Sequence, residues 1–230
     1  MTRPIELRRL GAGLDYETTQ AAQQRAVELV RTGELPDQLW LLQHERVITV
    51  PRKEAAWANL LVTPERAQEL GVTLATTTRG GNITYHGPGQ WVLYPIVHLQ
   101  PGERDIRRFV CNLEEAMMDV CREYGLEPQR SEGETGTWIG DQKIGAIGVR
   151  FGRWVSSHGI AFNGRTILED FKLIVPCGIV DKGVCSLESL GVDHDLERLG
   201  EELAQAVAQR LGRALIDGPP SRPPVKVSKA

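Results

Sequence analysis

The chain has 230 residues, of which 41% are hydrophobic and 25% charged, and a formal net charge of -3. This is ordinary globular composition with enough length for a real core, and it offers no global basic field to recruit nucleic acid or an anionic membrane. The opening MTRPIELRRLGAG has no uninterrupted apolar run, and no stretch approaches bilayer length. The expectation is a cytoplasmic protein with neither signal peptide nor membrane span.

In chain order, Tyr16 to Thr32 has weak helical periodicity (Ala22, Ala26, Val27, Val30), with Gly33 as its stop. Gln38 to Gln43 and Arg46 to Val50 are short β-rich runs broken at His44 and Glu45. Thr63-Pro-Glu-Arg opens a helix that Gly71 ends. Arg79 to Gln90 (RGGNITYHGPGQ) reads as turn, followed by a strand from Trp91 to Leu99. Asp105 to Tyr124 is the clearest helix: Ile106, Phe109, Val110, Leu113, Met117, Val120 and Tyr124 recur at helical spacing. Thr137 to Phe162 reads as short strands with tight turns, and Asp195 to Leu215 as a second strong helix. These elements predict one α+β domain over 1–217, a mixed sheet with helices packed on it, and a mobile tail over 218–230.

The four cysteines are Cys111, Cys121, Cys177 and Cys185. Their spacings match no zinc knuckle and no CxxC occurs, so no metal site and no disulfide framework is expected. Cys111 and Cys121 fall on the apolar helix and read as core. Cys177 is punctuated differently, by Pro176 before it and Gly178 after it. A fixed entry and a sharp exit present a thiol at the end of an element, the way a nucleophile is displayed.

Three further segments can carry chemistry. In RGGNITYHGPGQ, Gly80 and Gly81 allow close main-chain approach to a ligand, Arg79 adds a cation, and Tyr85 and His86 supply an aromatic wall and a titratable group. A long hairpin turn is the equally weighted alternative. Lys143 opens the glycine-studded strand KIGAIGVR, where a solvated strand end is the ordinary role for a lysine. His158 sits among small residues in SSHGIAFN, where a structural hydrogen-bonder is more common than a catalyst. His44 is a candidate to point into a site; His98 and His194 read as strand-end and cap residues.

RGGNITYHGPGQ, KIGAIGVR, HGIAFN and PCGI, in this order and at these separations, resemble the lipoyl(octanoyl) transferases of the biotin and lipoate ligase superfamily. The likeness runs from about Leu39 to Leu190. It implies a mixed β-sheet with helices on its outer face, enclosing a tunnel for an acyl chain. It places the family's nucleophile on Cys177 and the lysine that lowers its pKa, and acts as acid or base, on Lys143. The substrate-binding segments fall on Arg79, Gly80, Gly81, Asn82, Ile83, Thr84, Tyr85 and His86, on Ala146, Ile147 and Gly148, and on Gly159, Ile160 and Ala161. His44 and His158 take supporting places. Many members carry a segment like EHPPVYTLG; here it is QHERVITVP, with His44 in register but without the proline pair and closing glycine.

The resemblance implies an octanoyl (or lipoyl) donor on acyl carrier protein. The acceptor would be a lysine of the lipoyl domains of 2-oxoacid dehydrogenases or of the glycine-cleavage H protein. No cofactor, nucleic acid or membrane is involved, and a monomer is expected. A thioester donor supplies the energy for a Cys177 thioester without ATP. Gly80, Gly81 and Gly148 are candidate oxyanion donors. An ATP-dependent lipoate ligase is the runner-up; it needs no cysteine at 177. A non-catalytic acyl- or lipoyl-binding regulator is the alternative from another class.

Overall fold

The computed structural model describes residues 2–175 and 182–220. The first strand, β1 (Arg3–Leu14), is followed by α1 (Tyr16–Thr32). The Asp15 side chain caps α1 by accepting from Thr18 N–H, and Gly33 ends it at φ 82° with its N–H donating to the Leu29 and Val30 carbonyls. Then come β2 (Gln38–His44), β3 (Val47–Pro51), α2 (Glu54–Trp57), α3 (Pro64–Glu69), β4 (Thr73–Thr77), β5 (Thr84–His86) and β6 (Gln90–Ile96). The second half runs α4 (Ile106–Glu123), β7 (Pro128–Ser131), β8 (Glu134–Ile139), β9 (Gln142–Gly152), β10 (Val155–Asn163), β11 (Gly183–Val184), α5 (Leu196–Arg210) and β12 (Arg213–Asp217). No described helix is long and apolar enough to cross a membrane.

The large sheet has the order β12-β1-β2-β6-β10-β9-β8-β7, with β11 also pairing β9. It is mixed: β12, β1 and β2 run parallel, β11 runs parallel to β9, and the remaining pairs are antiparallel. Alternation sorts the two faces. Leu39, Leu41, Trp91 and Leu93 join Phe109, Leu113, Met117 and Val120 of α4 and Leu199, Leu203 and Val207 of α5 in one core. Trp40, Leu42, Val92 and Tyr94 join Ala26 and Val30 of α1 in the other. Fully burying one such Leu, Val or Phe is worth ~1.5–3 kcal/mol. The expected α+β architecture of a mixed sheet with packed helices is thus present, with α4 and α5 on one face and α1 on the other.

A second, small sheet, β4-β3-β5, stands beside the first. Ile48, Val50, Ile83 and Tyr85 bury its apolar face with Phe171 and Ile174. β5 lies inside the segment that reads as turn in the sequence. Its pairing to β3 (Val47↔His86, Ile48↔Tyr85) makes the strand, so a glycine-rich run is strand only because a partner lies alongside. The expected helix from Asp195 to Leu215 stops at Arg210, and Arg213–Asp217 turns back as β12 against β1. Arg213 is held there by Asp37 and Glu103. Cys121 is buried as expected, and Cys111 on the same helix is half-buried.

Candidate functional site

A cavity of about 380 Å³ opens where the small sheet and the loop after β4 lean over β9 and β10. Small-ligand pockets start at about 300 Å³. Its floor is two paired strands on which Ala146 faces Ala161, Gly148 faces Gly159, and Ile147 faces Ile160 between these small pairs. The loop closes tightly because no side chain intervenes. A Cβ on Gly148 would lie 2.9 Å from Arg79 Cδ and 3.1 Å from the Gly80 carbonyl. Gly80 N–H donates to the Val149 carbonyl at 3.1 Å, so it is committed to the main chain and leaves the set of candidate oxyanion donors.

Lys143 reaches this cavity through a bulge. The register Thr137↔Gly145 is followed by Trp138↔Lys143, two residues on β9 against one on β8. The extra residue reverses the alternation, so Lys143 shares a face with Ala146 and Gly148. Its side chain is 8% exposed, its Nζ lies 4.7 Å from the centre of the Trp138 ring, and Glu134 Oε2 stands 3.8 Å away. Gly148 lies five residues along the strand, ~17 Å from Lys143 at ~3.4 Å per residue.

The far end is walled by aromatic and imidazole rings. Tyr16 and His86 stack with centroids 6.2 Å apart, and Tyr94 meets His158 edge-on at 6.0 Å. His86 donates from Nδ1 to Gln90 Oε1 (2.7 Å). Gln90 Nε2 donates to the Tyr85 carbonyl and to Asn163 Oδ1, and Asn163 Nδ2 donates to the Cys185 carbonyl. Carbonyls only accept, so this chain fixes both amide orientations and leaves His86 Nε2 as the lone-pair nitrogen. Burial holds His86 well below the usual histidine range, with His44 and the Arg79 guanidinium adding to the effect. Burial and Arg79 likewise push His158 down to about 3. Arg79 is anchored by the Thr49 carbonyl and hydroxyl at 3.0 and 2.8 Å. The site is thus one fixed cation among neutral imidazoles at one end and a lysine–glutamate pair at the other.

The structure brings Arg79 to Thr84, His86, Lys143, Ala146 to Gly148, His158 and Gly159 to Ala161 to this one cavity. Tyr85 is not among its walls. It lies on the opposite face of β5, fully buried against Phe171, because neighbouring strand residues point opposite ways. His44 sits behind the wall, bonded to Leu14 and Tyr94. Tyr16, Tyr94, Val110, Gly133, Glu134, Thr135 and Val149 also line the cavity and escape sequence reasoning. Only Tyr16, the first residue after the Asp15 cap, stands at a recognisable position.

Cys177 lies outside the described residues. On its N-terminal side, Val175 N–H donates to the Asn59 carbonyl at 2.8 Å, and Asn59 Nδ2 donates to Asn82 Oδ1 of the cavity loop. On its C-terminal side, Lys182 Nζ lies 4.9 Å from the Trp138 ring centre and bonds Ser131 Oγ. Among the described residues no group of His, Cys, Asp and Glu has the arrangement of a metal site.

Solved lipoate ligases share this fold. A putative lipoate protein ligase from T. acidophilum with bound lipoic acid superposes with a TM-score of 0.76, covering 95% of this chain and 89% of that one at 16% identity. A lipoate-protein ligase A bound with ATP gives 0.77, with the same coverage and identity. The family model of the lipoyl protein ligase A/B catalytic domain matches residues 15–208, and the chain belongs to that family. Its curated relatives include the octanoyltransferase of Caldicellulosiruptor saccharolyticus, 44% identical over 87% of this chain and 84% of the relative. That of Solibacter usitatus is 40% identical over 92% and 95%.

Proposed function

We propose that this chain is an octanoyltransferase of protein lipoylation. It takes an octanoyl (or lipoyl) group from acyl carrier protein, carries it as a thioester on Cys177, and delivers it to a specific lysine of a lipoyl domain or of the glycine-cleavage H protein. It works in the cytoplasm as a monomer. The observation that carries this reading is Lys143, turned by a bulge into a cavity floored by small residues, in a chain whose relatives are octanoyltransferases.

In the first half-reaction the Cys177 thiolate attacks the donor thioester carbonyl. A new C–S bond forms, the old one breaks, and the carrier leaves as a thiolate that takes the proton of the Lys143 ammonium, leaving that lysine as an amine. An isolated cysteine near pKa 8.5 is only about 3% thiolate at pH 7. The Lys143 ammonium stabilises the thiolate. In the second half-reaction the acceptor lysine amine attacks the Cys177 thioester. The C–N bond forms, the proton from that nitrogen passes to the Lys143 amine, and Cys177 leaves as thiolate. Chain length is selected by cavity depth, at ~0.8 kcal/mol per buried CH₂. Cys121 and Cys185 make poor competitors, since burial pushes both thiols up to about 12.

Intact-mass spectrometry tests the assignment. Octanoyl-acyl carrier protein adds one hydroxylamine-labile octanoyl group to the wild type, and also to Cys111→Ser and Cys185→Ser. Cys177→Ser takes none. An adduct that persists in Cys177→Ser refutes the nucleophile, and no adduct on the wild type favours a binding regulator.

A further inference from the structure

We infer that Gln23 is a positioning residue for selection of the acyl chain: its side-chain oxygen holds the His158 backbone in the left-handed form that turns the imidazole into the cavity, where the ring closes the far end on the chain. The inference rests on the acyl-carrying role proposed for the cavity and adds to it the residue that sets its depth.

The neighbours of His158 on β10 sort by face. Ile160 and Phe162 join the core with α4 and α5, and Ala161 joins the core with α1. Alternation carried back from Ile160 would send His158 towards α4 as well. Its backbone instead takes φ 57°, a left-handed form that a residue with a Cβ seldom adopts. The ring emerges on the other face. It stands edge-on to Tyr94 of the α1 core, with Nε2 3.4 Å from Thr78 Oγ1, and lines the cavity. Backbone strain persists only where the surroundings over-determine it, and it gathers at ligand sites.

The surroundings here can be named. The β10–β6 pairing ends at Ile160↔Leu93. Continued by two residues, that register would set His158 opposite Pro95, which has no N–H for a ladder. The Pro95 carbonyl already accepts from Ser156 Oγ at 2.8 Å. At the next position a Cβ on Gly159 would lie 2.0 Å from the Leu93 carbonyl and 2.6 Å from Pro95 Cδ, so β10 is pinned against β6 on that side. The His158 N–H, turned off the ladder, finds its acceptor on α1: Gln23 Oε1 at 3.1 Å. Gln23 is buried on the face of α1 that also carries Tyr16, about two turns away, and Tyr16 lines the same cavity. Gln23 lies behind the wall and acts through His158.

The test compares octanoyl- and dodecanoyl-acyl carrier protein in single-turnover acylation. Calorimetric binding of octanoate and dodecanoate reads the same cavity without the reaction. In Gln23→Leu the preference for the shorter chain should fall about tenfold in both readouts. His158→Gly takes the left-handed backbone without strain and removes the ring, so its preference should fall at least as far. The double variant should go no further than His158→Gly alone, whereas a role in helix packing would add to it. Melting curves accompany each variant, and a crystal structure of Gln23→Leu should show the ring turned away from Tyr94. A ring that stays against Tyr94, a preference unchanged in Gln23→Leu, additive effects in the double variant, or a wild type that binds both acids alike overturns the inference. A wild type that binds octanoate over dodecanoate yet takes no acyl group from either carrier refutes the transfer reading and leaves Gln23 its role in shaping the cavity, so the two failures read differently.

Discussion

Tyr94 donates its hydroxyl proton to His44 Nε2 at 2.9 Å, because the Leu14 carbonyl, 3.0 Å from Nδ1, claims the ring's own N–H. The pair links the end of β2, and through Leu14 the end of β1, to β6, and His44 there has no exposure. Tyr94→Phe leaves His44 Nε2 buried without a donor. The expected cost is about 1–3 kcal/mol of stability. Urea unfolding at pH 7.5 measures it, and an unchanged midpoint contradicts the hydrogen bond.

The buried histidines make the fold acid-sensitive. Burial brings His44 down to about 4 and His158 to about 3, and His86 lies well below its ordinary value. With folded pKa values below the unfolded 6.5, the unfolded chain binds more protons between them. Stability is therefore full above about pH 7 and falls as pH drops through 6.5 towards 4. His44 alone contributes on the order of 3 kcal/mol over that window. Urea midpoints from pH 8 to 4.5 should decline, and His44→Gln should flatten part of the decline even if it lowers the starting value.

Lys143 has two proposed roles that substitutions separate. Lys143→Ala removes both cation and base, so thiol alkylation at neutral pH and acyl transfer should each fall at least tenfold. Lys143→Arg keeps a cation that does not deprotonate at working pH. It should retain part of the alkylation and acyl-enzyme formation, then stall at transfer to the carrier lysine. Alkylation rate against pH for the three proteins, with melting curves to detect misfit of the larger guanidinium, decides between roles. An identical profile for wild type and Lys143→Ala leaves Lys143 as a strand-end lysine.

A thioester donor makes ATP unnecessary. Octanoylation of the lipoyl domain should run at full rate after apyrase treatment. A strict requirement for ATP and Mg²⁺ with free octanoate would move the chain to the ligase branch of its family.

Two glycines of the β8–β9 hairpin should respond differently. Gly136→Ala drives a Cβ against the Gly145 main chain and should cost more than about 2 kcal/mol, with loss of transfer. Gly140, at φ 56°, faces open space, so Gly140→Ala should cost only about 1–2 kcal/mol of backbone strain and keep the activity. Melting temperatures and transfer rates for the pair check the contrast.

The local pattern of the chain was enough for everything that depends on neighbours in sequence. The repeat at three and four residues specified α4, the Gly33 stop ended α1, and the glycine-studded runs at Arg79, Lys143 and Gly159 marked segments that meet in one cavity. What needed a partner was invisible. β5 is strand only against β3, β12 only against β1, and Tyr85 turns away while His86 turns in because their register on β3 says so. The bulge that aims Lys143 exists only as a mismatch between two strands. Tyr94 reaches His44 across 50 residues, Gln90 reaches Asn163 across 73, and Asn163 reaches Cys185 across 22. Side-chain period and capping are written in adjacent residues, whereas register, facing and ion pairing arise when distant strands close on one another, and that closure decided the chemistry of the site.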